Sequence, residues 1–114
     1  MPMIQTRTSI SITPEQERTL KTRLGKAIAL LPGKSERWLM LRFSDNERLY
    51  FQGANARPLV FAEVGVLGKA PKTAYEALTA ELCAVYSEVL GVSPDCVYVQ
   101  YIETEHWGWN GGNF

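Results

Sequence analysis

The chain begins Met1-Pro2-Met3, and the proline could do chemistry because of where it stands. Methionine is expected to be removed before a small residue, which would leave the Pro2 nitrogen as a free secondary amine. Such an amine is a base that no internal proline can provide, because an internal proline nitrogen is an amide. Two interpretations are open at this point. Pro2 either takes part in proton transfer or simply begins the strand-like run MIQTRTSI.

The other residue types that commonly do chemistry are few and scattered. Cys83 lies in a helical pattern and Cys96 at the start of a strand-like run, with no CxxC motif. Lone thiols in such elements are more often small core residues than a disulfide or a redox pair. Together with His106, the single histidine, they do not form an ordinary zinc site. We therefore expect neither a metal nor a cofactor, and we interpret His106 as a loop residue.

Length and composition favour one globular domain over residues 1–114. The chain is 46% hydrophobic and 21% charged, with a formal net charge of zero. A neutral chain has no global field that favours nucleic acid or an anionic membrane. It has no signal-like apolar segment at its start and no apolar stretch of about 18 residues. We expect a soluble protein that is cytoplasmic, or secreted without a signal peptide, with no nucleic-acid or membrane partner.

The first half of the chain predicts a helix between two strands. Residues 10–33 form the helical region, in which Thr13 is the N-cap, Pro14 the first helical residue and Gln16 the partner in a capping box. Pro32-Gly33 ends it, and residues 38–43 are the next strand. One apolar stripe follows helical spacing: Leu20, Leu24, Ala27, Ile28 and Leu31.

The second half repeats this order. Residues 58–66 form a strand rich in β-branched residues, a helix closed by Gly91 and Pro94 follows, and residues 96–102 form the last long strand. The apolar face of that helix is Tyr75, Leu78, Leu82, Val85 and Val89. The chain is therefore predicted to be a βαβ unit written twice, with repeats over residues 3–43 and 58–102.

Two βαβ units predict an α/β (α+β) fold: one four-stranded mixed sheet with both helices on the same face, since crossovers are right-handed. Residues 59–66 and 97–102 are apolar at nearly every position, which is typical of strands buried on both sides. Self-association would cover the second face. Residues 49–51 could form an edge strand. Residues 103–114 predict a terminal hairpin whose aromatic side chains pack on a neighbouring subunit, line a pocket, or do both.

Several short motifs occur in an order that points to one family. They are the start Met1-Pro2-Met3, Gly33-Lys34 after the first helix, residues 90–95 (LGVSPD) before the strand Val97-Tyr98-Val99, and the ending Gly108-Trp109-Asn110 with Phe114. Together with the doubled βαβ order, they resemble the macrophage migration inhibitory factor family of the tautomerase superfamily. The resemblance spans the whole chain.

The resemblance implies a homotrimer that acts as a keto–enol tautomerase on phenylpyruvate-like small aromatic 2-keto acids, with active sites at subunit interfaces. It implies that Pro2 is the catalytic amine and Lys34 the pocket cation. A base of this kind must be neutral near pH 7, and both burial and a nearby cation lower the pKa of an amine. The other substrate-binding positions that it implies are Met3, Trp38, Val66, Trp107, Trp109 and Phe114, with Tyr98 and Gln100 supplied by the adjacent subunit.

Simpler interpretations stand beside these. Lys34 could only complement the carbonyl end of the first helix, and Tyr98 and Gln100 could be ordinary strand residues. Glu63 is unusual in an apolar strand and could pair with a lysine or arginine at the interface, a partner that the sequence does not name. Where thiol-oxidoreductase members carry CxxC, this chain has Arg57-Pro58-Leu59-Val60, so that activity is not expected. The alternative functions are a cytokine-like signalling or host-interaction protein, whose receptor is unknown, and a structural trimer.

Overall fold

A computed structural model describes residues 1–114 as two helices, a main sheet and a small terminal hairpin. Neither helix is long and apolar enough to cross a membrane. Short 3-10 turns cover Ile28–Leu30, Glu36–Trp38 and Pro94–Cys96. The helices and strands are β1 (Pro2–Thr8), α1 (Pro14–Ala27), β2 (Met40–Ser44), β3 (Val60–Leu67), α2 (Lys72–Leu90), β4 (Val97–Thr104), β5 (Gly108–Trp109) and β6 (Gly112–Asn113).

The main sheet has the strand order β2-β1-β3-β4. β1 pairs with β2, and β3 with β4, in parallel, so each half of the chain is one βαβ unit. The two halves meet where β1 and β3 pair antiparallel. The predicted four-stranded mixed sheet built from a doubled βαβ unit is thereby confirmed. We call the β1–β3 pairing the central seam.

Both helices cover the same face of this sheet, as predicted. Alternate strand residues such as Ile4 and Val64 are fully buried against helix residues such as Leu24 and Leu82. The polar contacts inside this layer include a hydrogen bond of 2.6 Å between the hydroxyls of Thr6 and Tyr86. Because every buried polar side chain has a partner, the layer carries no unsatisfied group that would cost stability.

The opposite face of the sheet, which we call the open face, has no layer over it within the chain. Its apolar members include Met40, Tyr98 and Ile102, which are among the exposed large hydrophobic residues. Polar groups cross its centre, where Arg7 on β1 and Glu63 on β3 form an ion pair. The cationic partner of Glu63 is therefore Arg7 of the same chain.

The capping signals place the helix ends. Thr13 and Gln16 exchange both bonds of the predicted capping box, with the Gln16 amide donating to Thr13 Oγ1 at 3.1 Å. Gly91 ends α2 in a left-handed conformation, with φ of 71°, which glycine adopts without strain. α1 is shorter than the predicted 10–33, because residues 10–12 lead into the cap and the chain tightens into a 3-10 turn after Ala27.

Two predicted strands differ in the structure. The strand expected over residues 38–43 is β2, Met40–Ser44, because Trp38 belongs to the preceding 3-10 turn. The expected edge strand at residues 49–51 is wrong. Phe51 pairs only with Ala54, across a tight turn in which Gln52 and Gly53 have positive φ angles. The backbone bonds of Phe51 are therefore used locally and do not extend the sheet.

Candidate active site

Pro2 lies at the end of the central seam. It is the first residue of β1, it is buried, and its register partner is Val66 on β3. Proline is well suited to the first residue of a strand, since it has no N–H to give to the ladder. The carbonyl of Met1 accepts a hydrogen bond of 3.0 Å from the Leu67 amide, so the start of the chain is held against β3.

Lys34 reaches the same end of the seam, at Leu67 of β3. Gly33 precedes it with φ of 77°, a left-handed turn that suits glycine and redirects the chain after α1. The Lys34 Nζ then donates a hydrogen bond of 2.9 Å to the Leu67 carbonyl. The interpretation of Lys34 as a cap on α1 is not what the hydrogen bonding shows, because the ammonium binds β3 and not a helix carbonyl.

The surroundings of the Met1 α-amine favour its neutral form over the ammonium form. Burial lowers the pKa of the Met1 α-amine below its ordinary value, and the charge of Lys34 and a hydrogen bond with it lower that pKa further. Burial and the lysine both lower the pKa because each disfavours the ammonium form of the amine. A terminal amine at this end of the sheet is therefore disposed to accept a proton near neutral pH.

Three aromatic residues form a cluster that we call the aromatic wall: Trp38, Trp109 and Phe114. The ring centroids of Trp38 and Trp109 are 5.0 Å apart at an interplanar angle of 89°, an edge-to-face contact. Trp109 and Phe114 stack at 5.9 Å. The wall is held by the predicted terminal hairpin, β5 and β6. It brings together residues from the turn before β2 and from the end of the chain, and Trp109 and Phe114 remain more than half exposed.

Trp107 and Met3 both lie near Gly65 of β3. Gly65 is the register partner of Met3, and a Cβ atom added to Gly65 would lie 4.0 Å from the Trp107 ring. Trp107 also accepts a hydrogen bond of 3.1 Å from the Phe114 amide through its carbonyl. The structure thus gathers Pro2, Met3, Lys34, Val66 and the hairpin aromatics around one end of the sheet.

Tyr98 and Gln100 are not part of this group within the chain. On β4, Tyr98 stands opposite Phe61 and Gln100 opposite Glu63, whereas the β4 partner of Val66 is Glu103. Five residues of strand separate Tyr98 from Glu103, which is roughly 16 Å at the usual rise. A site that contains Tyr98 and Pro2 together needs Tyr98 from another copy.

Sequence reasoning missed the surroundings of Tyr98. Its ring packs edge-to-face on Phe51 at 5.1 Å, and both line an apolar groove of about 230 Å³ with Leu49 and Phe61. The apolar run 49–51 was the available signal. An edge strand is one interpretation of that run, whereas in the structure its side chains line this groove.

A second residue that sequence reasoning missed is Arg37. Its guanidinium carbon lies 5.2 Å from the ring centroid of Trp38, over the face of the ring. The signal available in the sequence was its position directly before an aromatic pocket residue. The aromatic wall therefore carries a cation.

Comparisons with known proteins identify the family and the fold. The family model described as macrophage migration inhibitory factor (MIF) matches residues 1–114. The macrophage migration inhibitory factor of Mus musculus is 28% identical over 118 residues, covering 100% of this chain and 99% of that protein. The crystal structure of Leishmania major MIF2 is 32% identical, with a TM-score of 0.93 and coverage of 100% of this chain and 97% of that chain. The Toxoplasma gondii macrophage migration inhibitory factor, at 23% identity, has a TM-score of 0.90 over 98% of this chain and 99% of that one, and shows the same fold.

Proposed function

The chain belongs to the macrophage migration inhibitory factor family, and from that premise we propose that it is a keto–enol tautomerase for phenylpyruvate-like aromatic 2-keto acids. The tautomerase superfamily includes isomerases of this type, so family and fold favour the reaction class. The observation that carries the proposal is the surroundings of the chain terminus: the Met1 α-amine lies beside Lys34, and burial and the lysine charge lower the pKa of that amine. This is the environment that a proton-transferring amine requires.

Pro2 is the general base of the proposed reaction. Once Met1 is removed, the prolyl nitrogen takes over the terminal position next to Val66 and Lys34. It accepts the proton from C3 of the ketone, the C–H electron pair becomes the C2=C3 bond, and the C=O π pair moves to oxygen to give an enolate. The enolate oxygen takes a proton from water, and the prolyl ammonium gives its proton to solvent. The prolyl ammonium returns a proton to C3 in the reverse direction.

Lys34 is the proposed substrate cation. Its ammonium is fixed by the bond to the Leu67 carbonyl and has two further donors. One of these binds the substrate carboxylate, which orients C3 toward Pro2. The positive charge also favours the enolate-like transition state. Val66 lies against Pro2 and supplies the apolar floor.

The aromatic residues bind the phenyl ring in this proposal. Trp38, Trp109 and Phe114 present an exposed apolar surface at the same end of the sheet, and Trp107 and Met3 narrow it. Aromatic pairs favour such edge and offset contacts. Burial of the ring here keeps water from the reacting carbon.

The complete site requires an adjacent subunit. Tyr98 and Gln100 lie on the open face, too far along β4 to meet Pro2 of the same chain. We propose a homotrimer, in which the open faces are covered by one another and each site receives Tyr98 and Gln100 from its neighbour.

The test compares two forms of the protein whose N-termini are verified by intact mass. The form that begins at Pro2 should tautomerise phenylpyruvate and hydroxyphenylpyruvate, followed by enol absorbance. The form that retains Met1 should have far lower activity, because its prolyl nitrogen is an amide without a basic lone pair. Pro2→Gly, in the processed form, keeps a terminal amine, so its tautomerase activity should lie between the activities of the other two forms. Equal rates for the Pro2 and Met1 forms would remove Pro2 from the mechanism.

A further inference from the structure

Arg37 is a cation at the candidate site that no carboxylate neutralises. It is exposed, and it takes part in none of the five ion pairs of the structure. Its guanidinium lies over Trp38, which joins it to the aromatic wall. A guanidinium that stacks on a ring keeps its N–H donors free at the edge of its plane, where an anion can approach.

The adjacent acid is directed away from Arg37. Glu36 places its carboxylate against α1 at Gly25, in the space that a Cβ atom on residue 25 would take. The absence of a side chain at Gly25 therefore makes the space that Glu36 occupies. The 3-10 turn Glu36–Trp38 thus separates opposite charges, with the acid against the helix and the arginine over the aromatic wall.

The two cations serve different parts of a ligand. Lys34 lies at the end of the central seam, beside the terminal amine, and Arg37 lies over the aromatic wall. Under the proposed function, the 2-keto acid carboxylate binds Lys34 and the aromatic ring binds the wall. A substituent on the far side of that ring is then close to Arg37, whose planar guanidinium can donate two parallel hydrogen bonds to a second carboxylate.

We infer that Arg37 is a specificity-determining residue that selects aromatic 2-keto acids carrying a second anionic group on the ring. The inference rests on the proposed function and names the substrate class of the same site. Because the pair that Arg37 forms is exposed to solvent, its contribution is moderate and appears as a preference among ligands rather than as a requirement.

The first experiment measures binding and does not depend on turnover. Benzoate and its 1,4-dicarboxylate, terephthalate, are titrated into the processed protein and followed by tryptophan fluorescence. Terephthalate should bind more tightly than benzoate. Arg37→Gln should weaken terephthalate binding by roughly three- to fivefold, the range for an exposed ion pair, and leave benzoate unchanged. The control is Arg48→Gln, which removes another exposed arginine without an ion pair, from the loop that enters β3 at the end opposite Leu67. It should leave both affinities unchanged.

The second experiment repeats the comparison with substrates. In Arg37→Gln, kcat/KM for 3-(4-carboxyphenyl)pyruvate should fall by the same factor while that for phenylpyruvate stays constant. An unchanged ratio of terephthalate to benzoate affinity in Arg37→Gln, or equal affinities in the unsubstituted protein, overturns the inference. Absence of tautomerase activity in the unsubstituted, processed protein, with its preference for terephthalate intact, would instead overturn the proposed function and leave the role of Arg37 standing.

Discussion

At the scale of single residues, the terminal amine and the Lys34 ammonium are neighbours at the end of β3. The lysine charge disfavours protonation of the amine, so it holds the pKa of that amine down. The acidic limb of kcat/KM for the Pro2 form should therefore move to higher pH in Lys34→Ala, because removal of the cation raises the pKa of the base. A pH–rate profile of both proteins on phenylpyruvate measures this. An acidic limb at the same pH in both would show that Lys34 does not act on the base.

Lys34→Ala should also lower kcat/KM for phenylpyruvate at the pH optimum. Loss of a charge-assisted pair with the substrate carboxylate costs about 1.5–3 kcal/mol, which is roughly tenfold to a hundredfold in rate. Stability should fall by only about 1 kcal/mol, for the lost bond to the Leu67 carbonyl.

The matched control is Lys26→Ala, which removes an exposed cation from the last turn of α1. It should leave kcat/KM unchanged and act only through the helix end. Steady-state kinetics and urea denaturation of the three proteins give both quantities. Full activity in a destabilised Lys34→Ala protein would reduce Lys34 to a structural residue.

Residues of the candidate site could be predicted where a local sequence motif contains them, but not where their contacts depend on the tertiary structure. Pro2 and Lys34 follow from motifs in order, and the structure places both at one end of the sheet. The pairing of Glu63 with Arg7 could not be predicted, since it depends on the antiparallel register of β1 and β3, which no local pattern specifies. Arg37 was missed for a similar reason, because its contact with Trp38 depends on the 3-10 turn.

At the scale of elements, α1 begins at a capping box. Thr13→Ala removes the side-chain acceptor for the Gln16 amide and should lower the free energy of unfolding by about 1 kcal/mol. Thr22→Ala is the control, since Thr22 is an exposed residue inside α1 whose hydroxyl donates to the Arg18 carbonyl. Alanine is the better helix former there, so this change should be neutral or stabilising. Urea denaturation measures the free energy of unfolding of both variants. An equal loss of that free energy in the two would mean that the capping box makes no specific contribution to stability.

The elements themselves were predictable to different degrees. The N-cap of α1 is predicted at the correct residue, Thr13, because capping chemistry is local and involves only neighbouring positions, although the predicted helical range begins earlier, at residue 10. Its end was placed too late, since Ile28 and Leu31 continue the apolar stripe although the backbone has already changed to a 3-10 turn. The apolar composition of the run 49–51 allows an edge strand, and it does not show that the positive φ angles at Gln52 and Gly53 close the chain into a turn.

At the scale of the whole molecule, the open face is the surface through which we expect copies to associate. Ile102→Asp places a charge at an apolar position that is 46% exposed in the single chain, and should dissociate the proposed trimer. Leu30→Asp is the control, with 43% exposure but at the turn that follows α1. Sedimentation equilibrium should give a trimer for the unsubstituted protein and the control, and a smaller species for Ile102→Asp. A monomeric unsubstituted protein would contradict the proposed assembly.

The central seam divides the chain into two parts that each hold a complete βαβ unit. A chain opened between β2 and β3, in the loop around Gly53, gives one fragment with Pro2 and Lys34 and another with Val66, Leu67 and the terminal hairpin. Neither fragment alone contains the proposed site, and mixing them should restore it through the β1–β3 pairing. Recovery of tautomerase activity on titration of one fragment with the other would then measure how strongly the two halves recognise each other. The protein would serve as a split reporter whose signal is its own enzymatic turnover.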